Sequence, residues 1–158
     1  YSNSGSISSD TLLADSGYGQ GEILVNPIHM ASIYSAFENE GNMVKPYLEY
    51  KEDKAAEYIV EGAFTKEAAG TIKSYLIQVV EDNGGTAHDM YIPGVTIAGK
   101  TGTAEITESD NGKETLGWFD CITEDSSGKK LLIVSMVEDT NSSRGSHYLI
   151  SKIRTLFE

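Results

Sequence analysis

Three β-like segments in the second half of the chain, at about 95–107, 115–123 and 131–138, constrain its fold more than any other feature. Stretches rich in Asp, Asn, Ser and Gly separate them, so the spacing predicts two hairpins and an antiparallel arrangement. The third segment, Leu131-Leu-Ile-Val-Ser-Met-Val137, is nearly continuous apolar sequence, the pattern of a strand covered on both faces. Helices are predicted around this sheet. Asn26-Pro27 reads as an N-cap followed by proline at the first helical position. Met30, Ile33, Tyr34 and Phe37 then recur at helical spacing, and Gly41 stops the run. A second helix starts at Thr65, carries Ala69, Ile72, Leu76, Val79 and Val80 as its stripe, and ends at Asn83-Gly84-Gly85. A last helix places Leu149, Ile150, Ile153, Leu156 and Phe157 on one side. The order is helix, helix, three antiparallel strands, helix. The Ser-rich opening, Tyr1 to Asp10, reads as a loop.

Length and charge narrow the function. The 158 residues suit one domain with enough chain to bury a core. A formal charge of −12 argues against nucleic acid and anionic membrane surfaces as general partners. The single cysteine, Cys121, excludes an internal disulfide and reads as a buried, inert thiol. No apolar run approaches the roughly 18 residues of a spanning helix, and no segment reads as a signal peptide. His29, His88 and His147 lack metal-ligand spacing, so no metal site is expected.

The chemistry concentrates in Gly99-Lys-Thr-Gly-Thr-Ala-Glu105, where a lysine, two hydroxyls and two glycines could hold an anionic, acyl-bearing ligand against exposed backbone. The letters Gly94 to Thr101 also satisfy the phosphate-loop pattern G-x-x-x-x-G-K-[ST]. That loop works where a strand precedes it and a helix opens after it. Here Val95 to Ala98 is apolar and partly β-branched, and Gly102 to Thr107 alternates without a helical stripe, so Lys100 is expected on a strand.

Lys100-Thr-Gly102 is one of three motifs shared by penicillin-binding proteins and serine β-lactamases, beside Ser-x-x-Lys and Ser-x-Asn. Ser16-Gly-Tyr-Gly-Gln-Gly-Glu-Ile-Leu-Val-Asn-Pro27 and Ser32-Ile-Tyr-Ser-Ala-Phe-Glu-Asn-Glu-Gly41 resemble class B penicillin-binding proteins. Within that class they are most similar to the low-affinity, methicillin-resistance type of Gram-positive bacteria. Gly85-Thr-Ala87, the Lys100 motif and Gly117-Trp-Phe119 recur there at similar spacing. The resemblance runs from about residue 15 to the C-terminus.

The resemblance implies an α/β (α+β) domain in which helices cover both faces of a five-stranded antiparallel sheet, three of whose strands are here. It implies a D,D-transpeptidase that cross-links peptidoglycan stem peptides, is acylated by β-lactams, needs no cofactor, and works on the extracytoplasmic face of the membrane. A serine β-lactamase, a D,D-carboxypeptidase or a non-enzymatic β-lactam sensor of the same fold remain alternatives. By resemblance, the Lys100 ammonium supports proton transfer and attracts the substrate carboxylate, which Thr101 and Thr103 hydrogen-bond. The Thr103 N–H supplies one arm of the oxyanion hole, Gly102 keeps the strand open to ligand, and Tyr18 and Gln20 approach the cleft.

The nucleophile is the departure from the pattern. In the family, Ser-x-x-Lys lies well over a hundred residues before Lys-Thr-Gly. The strings here, Ser126-Ser-Gly-Lys129 and Ser127-Gly-Lys-Lys130, lie in a polar turn between strands, where no helix aims the lysine at the serine. Tyr1-Ser2-Asn3 superficially matches a middle-motif variant but sits too near Lys100. Residues 1–158 therefore read as the C-terminal portion of a transpeptidase domain without its nucleophile-bearing upstream part, inactive alone. That leaves the 131–138 strand with an unpaired edge, from which a dimer, a strand exchange or a complementing chain is expected. Of the other residues, Trp118 and Phe119 read as core or cleft wall. Glu105 reads as solvent-facing or as orienting polar groups nearby, and Glu49–Asp53 as a solvated loop.

Overall fold

The computed structural model describes residues 5–49, 52, 54–109, 112–139 and 145–157; for 106–109, 112–114 and 139 it gives the backbone. Tyr1 to Asn3, Asp53 and residues 110–111 lie outside the described residues.

Local signals set the main helices. Asn26 Oδ1 accepts the Ile28 N–H at 2.8 Å and opens α2 (Pro27–Glu38). Thr65 Oγ1 accepts the Ala68 N–H at 3.1 Å and opens α3 (Lys66–Glu81). Both caps satisfy N–H groups that the first helical turn leaves without partners. Residues 5–9 are loop as expected, and a short helix not expected from the sequence follows at once, α1 (Asp10–Ser16), capped by Ser9 at 3.1 Å from the Leu12 N–H. The serine-rich composition that reads as loop also supplies this cap. Between α2 and α3, β1 (Met43–Val44) and β2 (Tyr58–Val60) form a small antiparallel ladder. Elements of two and three residues are too short for sequence periodicity to register.

The main sheet follows the expected order. β3 (Thr96–Ser109), β4 (Gly112–Glu124) and β5 (Lys130–Asp139) are antiparallel neighbours in sequence order, and α4 (Ser146–Arg154) closes the chain. Alternation divides the sheet between two cores. Ile97, Phe119 and Cys121 face Leu149, Ile150 and Ile153 of α4, together with Val80, Ala87 and Met90. Ala98 and Ile122 face Tyr34 of α2 and Leu76 of α3. Phe157 packs against the α4 core, whereas Leu156, expected on the same stripe, lies beyond the last helical residue and is 67% exposed. Glu38 at the end of α2 ties this layer to the sheet, with Lys73 of α3 at 2.5 Å and Lys130 of β5 as ion-pair partners. Burial alone would raise the Glu38 carboxyl, but the two lysines prevail and hold it below its ordinary value.

β5 pairs with β4 and with no other strand among the described residues. Leu131, Leu132 and Met136 stay 42, 37 and 41% exposed, so the two-sided cover that the apolar run suggests is incomplete here. Ser126 and Ser127 sit in the exposed turn before β5, where Asp125 Oδ1 accepts the Ser127 N–H at 2.8 Å and the Lys129 N–H at 3.0 Å. They belong to a hairpin turn and not to a helix.

Candidate functional site

Lys100, Thr101, Gly102 and Thr103 lie in regular strand, opposite Asp120, Phe119, Trp118 and Gly117 of β4. β3 runs unbroken from Thr96 to Ser109, so no helix opens after Lys100 and the phosphate-loop reading fails. The motif residues line a cavity of about 280 Å³ together with Tyr18 and Gln20, which come from the turn after α1. All six residues singled out from sequence therefore meet at one cleft. Trp118, Met30, Tyr34 and Asp120 complete its walls.

Two motif side chains, Lys100 and Thr101, have definite partners, and Thr103 is held through its carbonyl. The Lys100 ammonium, on an exposed residue, donates to the Thr101 carbonyl at 2.8 Å. The Thr101 hydroxyl donates to Thr86 Oγ1 at 2.9 Å, which fixes its rotamer from the loop after α3. Gln20 Nε2 donates to the Thr103 carbonyl at 3.0 Å across 83 residues of chain. Tyr18 donates to Asp15 Oδ1 at 2.8 Å; this bond first, then burial and the Asp15 and Glu105 charges, holds the phenol above its ordinary value. Gly102 has a reason beyond ligand approach: a Cβ there would stand 3.2 Å from the Trp118 Cβ. Trp118 is thus cleft wall, and Phe119 beside it is fully buried core. Cys121 is fully buried as expected, and burial pushes its thiol up to about 12.

Asp120 carries no motif signal in the sequence. It sits two residues beyond Trp118 and faces the same way, 4% exposed, with Oδ1 accepting the Ser135 N–H at 3.2 Å. Burial pushes its carboxyl up to about 6, against an ordinary value of 3.8, with the Ser135 bond opposing. A charged residue inside an otherwise apolar strand was the available signal. The raised value fixes the sign of a stability effect. The folded state holds the proton more tightly, so stability declines as pH rises from about 4 to 6 and is flat above. Asp120→Asn is expected to raise stability at pH 7 by about 2–3 kcal/mol, the cost of ionising a carboxyl whose pKa folding lifts from 3.8 to about 6. The gain should vanish below pH of about 4. Urea unfolding of the complete domain at both pH values checks this, and an equal gain at both would remove the carboxylate from the explanation.

Among the described residues no group of three His, Cys, Asp or Glu side chains is placed to hold a metal ion. His147 pairs with Asp89 at 3.2 Å, and His88 Nδ1 meets the Val80 carbonyl at 3.0 Å.

The sequence profile of the penicillin-binding protein transpeptidase domain matches residues 1–156. The chain belongs to this family. As a transpeptidase-domain chain it is 40% identical over 154 residues to "Penicillin-binding protein 3" of Bacillus subtilis (strain 168), covering 96% of this chain. It spans 23% of that relative's length. Solved structures share the fold. Penicillin-binding protein A of M. tuberculosis, as a ceftriaxone acyl-enzyme complex, superposes with a TM-score of 0.73 at 20% identity, over 94% of this chain and 35% of the other. The transpeptidase domain of Burkholderia pseudomallei penicillin-binding protein 3 gives 0.64 at 18% identity, over 84% and 42%. At these identities the structures support the transpeptidase fold, an α+β sheet with flanking helices, and leave residue roles to the geometry.

Proposed function

We propose that this chain forms the carboxylate- and oxyanion-binding side of a serine D,D-transpeptidase site, in a protein that cross-links peptidoglycan stem peptides and is acylated by β-lactams. The observation that carries the reading is the gathering of Lys100, Thr101, Gly102 and Thr103 on an edge strand beside the Tyr18–Gln20 turn, around one cavity. Acyl transfer needs a nucleophile, a proton shuttle and donors for the developing oxyanion. Lys100 serves the proton and the substrate carboxylate, Thr101 and Thr103 hydroxyls bind that carboxylate, and the Thr103 N–H is one oxyanion donor. The nucleophile comes from sequence upstream of residue 1, so residues 1–158 are the C-terminal portion of the domain and inactive alone.

The Ser16–Pro27 and Ser32–Gly41 matches favour the low-affinity, methicillin-resistance type. The site then works on the extracytoplasmic face of a membrane, with the anchor elsewhere in the protein; no helix of the described residues is long and apolar enough to cross one. The bare edge of β5, with exposed Leu131 and Leu132, is where the upstream strands pair, or a second copy when they are missing.

Intact-mass spectrometry after incubation with benzylpenicillin tests the reading. The chain alone should keep its mass, and addition of the upstream half should give an adduct of one penicillin. An adduct on the chain alone would place the nucleophile within these residues. No adduct with both halves would overturn acyl transfer, and rapid loss of the adduct would favour a hydrolase of the same fold.

A further inference from the structure

Both motif carbonyls for which a side-chain donor is seen lie two residues apart on β3. Lys100 Nζ donates to the Thr101 carbonyl at 2.8 Å, and Gln20 Nε2 to the Thr103 carbonyl at 3.0 Å. In an antiparallel pair the N–H and C=O of one residue point the same way, and residues i and i+2 share that direction. β3 is an edge strand among the described residues, with β4 on its other side. Thr101 and Thr103 therefore turn their backbone groups to the open edge, and the chain caps that edge with its own side chains.

The Gln20 cap is built into the backbone. Gly19 (φ +82°) and Gly21 (φ +72°) flank it in the left-handed region that favours glycine. The Gln20 N–H donates to the Asp15 carbonyl at 2.9 Å, and Tyr18 holds Asp15 Oδ1 at 2.8 Å. The turn is thereby pinned to the end of α1 and aims one amide at one carbonyl.

An extended ligand adds to such an edge as a strand would, exchanging both N–H···O bonds with the residue it faces. With its reacting carbonyl on the Thr103 N–H, its neighbouring amide N–H must reach the Thr103 C=O. That carbonyl has two lone pairs, but on the open edge where the ligand arrives it already accepts the Gln20 amide at 3.0 Å, so the two donors compete for the same approach. We propose that Gln20 is a built-in competitor: its amide holds the Thr103 carbonyl in the unliganded protein, and an acyl-peptide or β-lactam must displace it to bind. This rests on the transpeptidase reading of the cavity. It makes Gln20 a determinant of how readily the site is acylated, in contrast to a residue that simply binds substrate.

The test is the second-order rate constant for acylation by benzylpenicillin in the protein carrying the complete domain, for wild type, Gln20→Ala and Gln20→Met. Methionine keeps the length and removes the donor, so it separates loss of the bond from loss of the side chain. Both variants should be acylated faster, by about two- to tenfold, the effect of removing one ordinary hydrogen bond from the ground state. An unchanged rate would mean that the cap only protects the edge, and a slower one that Gln20 supports strand or ligand; either overturns the proposal. A wild type that takes no penicillin would defeat the functional reading instead. The competitor is then judged on the ¹⁵N-labelled Gln20 side-chain amide: exchange as fast as in a free glutamine overturns it, and slowed exchange supports the occupied carbonyl.

Discussion

Lys100→Met is expected to lower the rate constant for acylation by benzylpenicillin by about 10²–10⁴-fold in the protein carrying the complete domain, the usual span for a lost proton-transfer group. The fold should hardly notice. Lys100 is exposed, and its ammonium donates to the carbonyl of the next residue, a bond that ties it to no other element. Exposed substitutions away from caps and buried networks usually stay within about 0.5 kcal/mol. The strand geometry that presents Thr103 comes from pairing with β4 and does not involve the lysine side chain. Rate and stability should therefore separate cleanly. Stopped-flow acylation beside urea unfolding measures both, and an acylation rate close to that of wild type would remove Lys100 from the chemistry. A matched loss of rate and stability would make it a structural residue.

The separation also shows which parts of this site are legible in sequence. The motif strand could be read because its residue types carry the information locally: β-branched and alternating residues give the strand, and Lys-Thr-Gly-Thr gives the chemistry. The caps at Asn26 and Thr65 were legible for the same reason, since a cap acts on N–H groups within its own first turn. The contacts that set the site's working state span long distances in the chain. Gln20 reaches Thr103 across 83 residues and Thr86 reaches Thr101 across 15, and neither bond leaves a periodic trace. Asp120 is not legible locally, because a lone carboxylate in a strand looks solvent-facing until Tyr34 of α2 and Ser135 of β5 close on it. The β1–β2 ladder and the seven-residue helix α1 fell below the length at which pattern outweighs composition.

Gly41 shows how a residue can be read correctly and still be underestimated. Sequence makes it the stop of α2, a role that asparagine can share. In the structure its φ is +93°, and its N–H donates to the Ala36 carbonyl at 2.8 Å as the helix ends. The Gly41 carbonyl in turn accepts the Phe64 N–H at 3.2 Å, so the chain entering α3 lies directly against it. A Cβ at Gly41 would stand 1.9 Å from the Phe64 carbonyl oxygen, which is backbone and has no rotamer to escape into. Gly41→Ala therefore combines left-handed strain of about 1–2 kcal/mol with overpacking of about 1–3 kcal/mol. The expected loss is about 2–5 kcal/mol, large against the total stability of about 5–15 kcal/mol of a typical domain. Because Phe37 and Phe64 meet here with ring centroids 5.3 Å apart, the displacement should spread to the α2–α3 layer that backs the sheet. Urea unfolding of the complete domain measures the loss. Gly62→Ala is the control: its φ is +63°, but a Cβ there meets nothing within 4 Å. It should lose only the strain, and equal losses at the two positions would mean that the Phe64 contact contributes nothing.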